Sequence, residues 1–173
     1  MKSIVIYNSQ TGFTKQYAEW ISEATGSECV SLKQAGKINL TDYDAIVFGS
    51  WCMAGSVKKL EWFKKQIPIL SQAGKKLIVY AVGASPVDSP DVAVAMERIL
   101  TEEEKKLVKL FYCPGGLSYE KMNGFSRLML KMFAKVLASK KDENKDYKKM
   151  AEMISHSYDI SDKKYIEQIV AEI

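Results

Sequence analysis

The chain is poor in the residues from which most catalytic and metal centres are built. Of its 173 residues one is histidine, His156, and three are cysteines, Cys29, Cys52 and Cys113, widely spaced and without a C-x-x-C. A single imidazole cannot assemble a metal site, and this thiol pattern suggests neither a zinc site nor a disulfide framework. Free thiols in a reducing compartment and a solvated histidine are the expected states. No apolar run approaches the ~20 residues that a membrane-spanning helix needs. The first residues carry neither a basic region nor an apolar signal core, so a cytoplasmic protein is expected. Two phosphate-binding patterns are missing as well, G-x-x-x-x-G-K-[ST] and G-x-G-x-x-G. The charge excess is only +4, and the lysines at 58, 59, 64 and 65 read as the solvated face of a helix. No nucleic-acid partner is expected.

What is present is the composition of a soluble globular protein, 47% hydrophobic and 27% charged. The length suits one domain, residues 1–173, with a full core. Its first twenty residues organise the rest. Ser3–Tyr7 is a β-branched apolar run, Asn8–Thr14 a hydroxyl-rich turn, and Lys15–Ala24 a helical pattern. A helix N-terminus presents unpaired N–H groups and the positive end of the helix dipole, so a turn bent around it can hold a phosphate. Ser9, Thr11 and Thr14 add hydroxyls, and Gly12 permits close backbone approach. No Lys or Arg lies in the turn, so neutral donors would hold the anion. The plainer alternative is an ordinary Ser/Thr helix cap.

Further strands are expected at Glu28–Leu32, Ala45–Gly49, Lys76–Val82 and Val108–Cys113. Helices are expected at Lys58–Leu70, from Ser89-Pro90 to about Leu100, after a Thr101/Glu104 capping box, and from Ser161-Asp162 to about Ala171. Tyr17, Ile21 and Ala24 form the inward stripe of the first helix. Alternating strands and helices make an α/β, doubly wound parallel sheet.

Ser9-x-Thr11-Gly12-x-Thr14 directly after an N-terminal strand resembles the FMN-phosphate loop of flavodoxins. A receiver domain of the same architecture would carry paired acids where Tyr7 and Asn8 stand. The flavodoxin resemblance implies a five-stranded sheet in order 2-1-3-4-5, with the ligand at the switch point between strands one and three. It implies phosphate contacts from Ser9, Gln10, Thr11, Gly12, Phe13 and Thr14. Ser50, Trp51, Cys52, Met53 and Ala54 would meet one side of the isoalloxazine ring, and Gly83, Ala84 and Ser85 the other edge. Trp51 has an alternative role as a core anchor of its loop. Flavodoxins often place an aromatic after strand four, and this chain has none there, so a more open ring face is expected. Many flavodoxins are also strongly acidic, and the basic excess here implies different partners.

Between strand five and the last helix lies an insertion, at about 117–150. Lys121–Lys141 contains no acidic residue. At helical spacing, Met122, Phe125, Met129, Met132, Phe133 and Val136 share one stripe, with Arg127, Lys131 and Lys135 opposite. Either this helix packs on its own domain or it meets a membrane surface or a partner. Ala138–Lys149 reads as a charged connection. With Gly116-Leu117-Ser118-Tyr119 before it, the insertion resembles that of the flavodoxin-like protoporphyrinogen dehydrogenases, which pass electrons from FMN to a membrane quinone. The expected function is therefore an FMN-binding electron-transfer protein or small flavin oxidoreductase, serving a redox partner protein or quinone. A porphyrinogen-oxidising enzyme at the inner face of a membrane and a flavin-free interaction module are the alternatives.

Overall fold

The computed structural model describes residues 1–139 and 145–173. In chain order the elements are β1 (Ser3–Asn8), α1 (Phe13–Thr25), β2 (Glu28–Ser31), α2 (Leu32–Ala35), a 3-10 turn (Leu40–Asp42), β3 (Ala45–Met53) and β4 (Ser56–Val57). There follow α3 (Leu60–Lys64), α4 (Ile67–Gln72), β5 (Lys76–Gly83), α5 (Pro90–Ile99), α6 (Glu102–Leu107), β6 (Val108–Pro114) and β7 (Gly116–Leu117). The chain closes with α7 (Gly124–Ser139), α8 (Lys145–Met153), β8 (Tyr158–Asp159), a 3-10 turn (Lys163–Ile166) and α9 (Glu167–Glu172).

The long strands form a parallel sheet in the order β2-β1-β3-β5-β6, which is the expected 2-1-3-4-5. Register pairs Ile4 with Ile46 and Ile46 with Leu77, and on the other face Val5 with Val47 and Val47 with Ile78. Continuous apolar runs in the centres of β1, β3 and β5 suit strands covered on both sides. On one face Ile4, Ile6, Ile46 and Phe48 pack against Leu60, Phe63 and Ile67 of α3 and α4. On the other, Val5, Val47, Ile78 and Tyr80 meet Tyr17 and Ile21 of α1 and Ile169 of α9. Each such fully buried side chain contributes roughly 1.5–3 kcal/mol. Thr101 and Glu104 complete the expected capping box reciprocally, at 3.2 and 2.8 Å.

Several expectations are corrected. The third strand does not end at Gly49 but runs to Met53 and folds back on β4, a sixth, antiparallel strand. The turn between them holds Ala54 and Gly55 at φ 49° and 75°, the positive pair that a two-residue hairpin of type I′ requires. The expected helix over 58–70 is two helices. Pro68 has no N–H for the carbonyl one turn back, and its ring clashes there, so the helix restarts with Pro68 in its first turn. Leu32 opens α2 rather than ending β2, because Ser31 and Gln34 form a capping box. Ala24 is exposed, and Thr14 and Ala18 take its place beside Tyr17 and Ile21 on the inner face of α1. The last helix is a 3-10 turn capped by Asp162 followed by α9.

In the insertion α7 begins at Gly124, where the Asn123 side chain accepts the Ser126 N–H at 2.8 Å. The expected end at Lys141 lies outside the described residues. The expected connection over 138–149 is helical at both ends, in α7 and α8, with residues 140–144 outside the described residues. A two-stranded ladder, β7 against β8, ties the insertion down. It needs Gly116, since a Cβ there would stand 2.1 Å from the Tyr158 carbonyl oxygen.

Candidate functional site

The site grows from the C-terminal ends of β1, β3 and β5. β1 delivers the chain into the turn Ser9–Gly12, where the Ser9 hydroxyl accepts the Gly12 N–H at 3.1 Å and shapes the bend. Gly12, at φ 108°, is the N-cap of α1, and no side chain caps that end. The first-turn N–H groups therefore keep their capacity for an anion, as the phosphate reading requires. Thr14 is buried, and its carbonyl accepts the Tyr80 hydroxyl at 3.0 Å. Tyr80 lies wholly within the core, and burial holds its phenol well above the ordinary range. The loop is thus fastened to the middle of β5. Gly49 makes room for this tether, because a Cβ there would sit 1.8 Å from the Tyr80 ring.

Beside this turn lies a cleft of about 520 Å³. Thr11, Gly12, Phe13 and Gln16 form one wall, and Leu117, Ser118, Lys121, Ser157, Tyr158 and Asp159 the other. The ammonium of Lys121 stands 3.9 Å from where a Cβ on Gly12 would be. So the turn without a cation of its own receives one from the insertion. The Asp159 carboxylate in the same cleft is engaged by Ser161, through its N–H at 2.8 Å and its hydroxyl at 2.5 Å. Gln10 reaches Ser126 in the first turn of α7 at 3.5 Å.

The residues expected at the ring divide. Trp51 and Met53 are half-buried at the end of β3, and Lys58 lies 5.8 Å from the centre of the Trp51 ring. Ala54 is exposed at the hairpin tip. Ser50 is fully buried and its hydroxyl accepts from Asn8 at 2.9 Å, so it ties β1 to β3 rather than facing outward. The Cys52 side chain packs against the core, and burial pushes its thiol up to about 12. It is therefore a protonated, unreactive thiol at neutral pH.

Gly83, Ala84 and Ser85 are half-buried at the end of β5. The loop has no aromatic of its own, but two tyrosines from elsewhere hold it. Tyr112 donates to the Ser85 carbonyl at 2.8 Å, and Tyr158 to the Ala84 carbonyl at 2.7 Å. Burial raises both phenols, that of Tyr158 to about 12, so both remain neutral donors.

Lys121, Tyr158 and Ser126 were outside the sequence-based site. They come from the insertion and its ladder, far along the chain from the loops they touch. The one local signal is Gly115-Gly116. A Cβ on Gly115 would stand 2.8 Å from Val82 and 3.1 Å from Phe13, so this pair lets the insertion cross close over the top of the sheet.

The residues fit a phosphorylated, flat aromatic cofactor. The turn, Thr11 and Lys121 would hold the phosphate, and Trp51, Met53 and Ala84 stand at the strand ends where a ring would lie. Among the described residues no group of three His, Cys, Asp or Glu could hold a metal, and no helix is long and apolar enough to cross a membrane.

A flavodoxin domain model matches residues 4–144. Solved structures with a similar course include oxidised flavodoxin 2 from Bacillus cereus, at 21% identity and TM-score 0.46 over 70% of this chain and 88% of that one. Two-electron reduced flavodoxin from Megasphaera elsdenii matches at 20% identity and TM-score 0.45, over 64% and 82%. A flavodoxin from the domain Archaea matches at 23% identity and TM-score 0.39, over 65% and 85%. A search among curated proteins returns no significant match. With the family model covering most of its length, from β1 through α7, this chain belongs to the flavodoxin domain family.

Proposed function

We propose that this protein binds FMN and transfers electrons with it. The observation that carries the reading is the uncapped N-terminus of α1, built on a left-handed Gly12 and faced by the ammonium of Lys121. When bound, FMN supplies the one- and two-electron chemistry, which asks for no nucleophile or general base from the chain. The chain's own residues bind and orient. Thr11 and the first-turn amides of α1 receive the phosphate, and Lys121 balances its charge. Trp51 and Met53 offer apolar cover to the ring, while Tyr112 and Tyr158 fix the carbonyls of the β5 loop. A redox partner protein or a quinone completes the electron path. The narrower reading as a porphyrinogen-oxidising enzyme rests on the position and basic character of the insertion alone, because the family match is to flavodoxins at large.

The test is the visible absorption spectrum before and after adding FMN and desalting. Retained flavin bands are expected. Thr11→Ala with Thr14→Ala should weaken FMN by about 1–3 kcal/mol, through the lost Thr11 hydroxyl bond to the phosphate and the loss of the buried Thr14 side chain beneath the turn. A protein that keeps no FMN, or a double variant with an unchanged dissociation constant, would remove the phosphate assignment.

A further inference from the structure

α7 carries two apolar faces, and the described residues cover only one of them. Its inner face, Leu130, Ala134 and Leu137, packs with Tyr147, Met150, Ala151 and Ile154 of α8 and the turn beyond it. That packing, with Asn123 at the N-terminus and Ser126 against Gln10, fixes how the helix is rotated. The stripe that adjoins it around the helix is left in solvent. Phe125, Leu128, Met129, Met132, Phe133 and Val136 are each between 42% and 67% exposed. From Phe125 to Val136 the stripe is continuous over about three turns, or ~16 Å. An exposed apolar surface of this kind marks an interaction site.

Charge indicates what covers it. At 100° per residue, Lys131 and Lys135 fall on the flank of the stripe away from the protein body, and both are exposed. Arg127, expected with them, is half-buried instead, with its guanidinium donating to the Tyr119 carbonyl. No acidic residue occurs anywhere in Lys121–Lys141. An apolar stripe of Phe, Leu and Met beside exposed lysines is complementary to a bilayer with anionic headgroups. The side chains enter the acyl boundary while the ammonium groups reach the phosphates. A second copy fits worse, since antiparallel self-pairing sets the lysine flank of one α7 beside the same flank of the other.

We propose that α7 is an interfacial helix that seats this protein on the surface of an anionic lipid bilayer, with its Phe125–Val136 stripe immersed and Lys131 and Lys135 at the headgroups. Because Ser126 touches Gln10, this orientation holds the candidate cofactor turn near the lipid surface. The proposal is independent of FMN binding.

The test is sedimentation of the full chain with vesicles of phosphatidylcholine alone or mixed with phosphatidylglycerol, at low and high salt. The expected result is binding to the mixed vesicles that weakens with salt. Met132→Ser with Phe133→Ser should abolish it, and Lys131→Gln with Lys135→Gln should lower partitioning by about fivefold per lysine. All four side chains are exposed, so circular dichroism and the unfolding midpoint should match the parent. No binding to the mixed vesicles, equal binding to both vesicle types, or binding that neither variant changes would overturn the proposal. So would a dimer in solution that Met132→Ser with Phe133→Ser dissociates, which would assign the stripe to a second copy.

Discussion

Replacing Lys121 by methionine asks whether the insertion helps to hold the cofactor. The substitution keeps the apolar stem and removes only the charge. The Lys121 ammonium lies 3.9 Å from the Cβ position of Gly12, the N-cap residue of the turn. A phosphate held by the amides of that turn would come within about 5 Å of it, and at that range two unit charges attract by ~0.8 kcal/mol in bulk water and ~3 kcal/mol at an effective dielectric of ~20. Lys121 is exposed, which favours the lower part of this range. The expected loss is therefore about 1–2 kcal/mol, or roughly five- to thirtyfold in the FMN dissociation constant at low ionic strength. The assay is quenching of flavin fluorescence, read in parallel for FMN and for riboflavin, which lacks the phosphate. Riboflavin affinity should not change. At about 1 M salt, where the screening length shrinks to ~3 Å, the two proteins should converge for FMN as well. Equal losses for both flavins would show that Lys121 acts through the shape of the cleft. No loss for either would place the phosphate away from Lys121.

Gly49→Ala should destabilise by about 1–3 kcal/mol or more, because the new Cβ would meet the buried Tyr80 ring at 1.8 Å. FMN should weaken along with it as the Tyr80 tether to Thr14 is displaced, and an unchanged urea midpoint would refute the packing argument. Ala54→Asn should stabilise by up to about 1 kcal/mol, since asparagine tolerates the left-handed conformation held there, and should raise Tm by about 2–4 °C. A lower Tm would count against the hairpin turn. Stability should fall in alkali. The Cys52 thiol is held to about 12 against an ordinary 9.0, so the unfolded chain loses this proton first. Its contribution is whole below about pH 9 and is lost as the pH climbs from there to about 12. Urea midpoints at about pH 8 and pH 10.5 should differ less in Cys52→Ala than in the parent, and equal differences would remove Cys52 as a cause.

Much of the fold was written in local patterns. The β-branched runs at Ser3–Tyr7, Ala45–Gly49 and Lys76–Val82 have no polar face, which only a strand covered on both sides can use. Boundaries shift where a local rule meets a tertiary competitor or a local helix breaker. β3 outran Gly49 because β4 was available to pair with Cys52 and Met53. The helix expected over 58–70 broke for the local reason of Pro68. The strand–turn–helix course around Ser9–Thr14 is legible because it lies within one short stretch. Ser50 and Cys52, two residues apart on β3, share one face of the strand, where cross-strand packing ties the Ser50 hydroxyl to Asn8 and buries the Cys52 thiol.

By itself, then, the sequence determined the strand–turn–helix order, the hydroxyl-rich turn and the absence of any acid in Lys121–Lys141, since each depends on neighbours a few residues apart. Only the tertiary structure decided that Lys121 faces Gly12, that Tyr158 holds the Ala84 carbonyl, and which side of α7 is left in solvent. Those outcomes follow from long-range packing. The Gly115-Gly116 crossing and the β7–β8 ladder carry the insertion back over the sheet, and α8 then covers whichever face of α7 it meets.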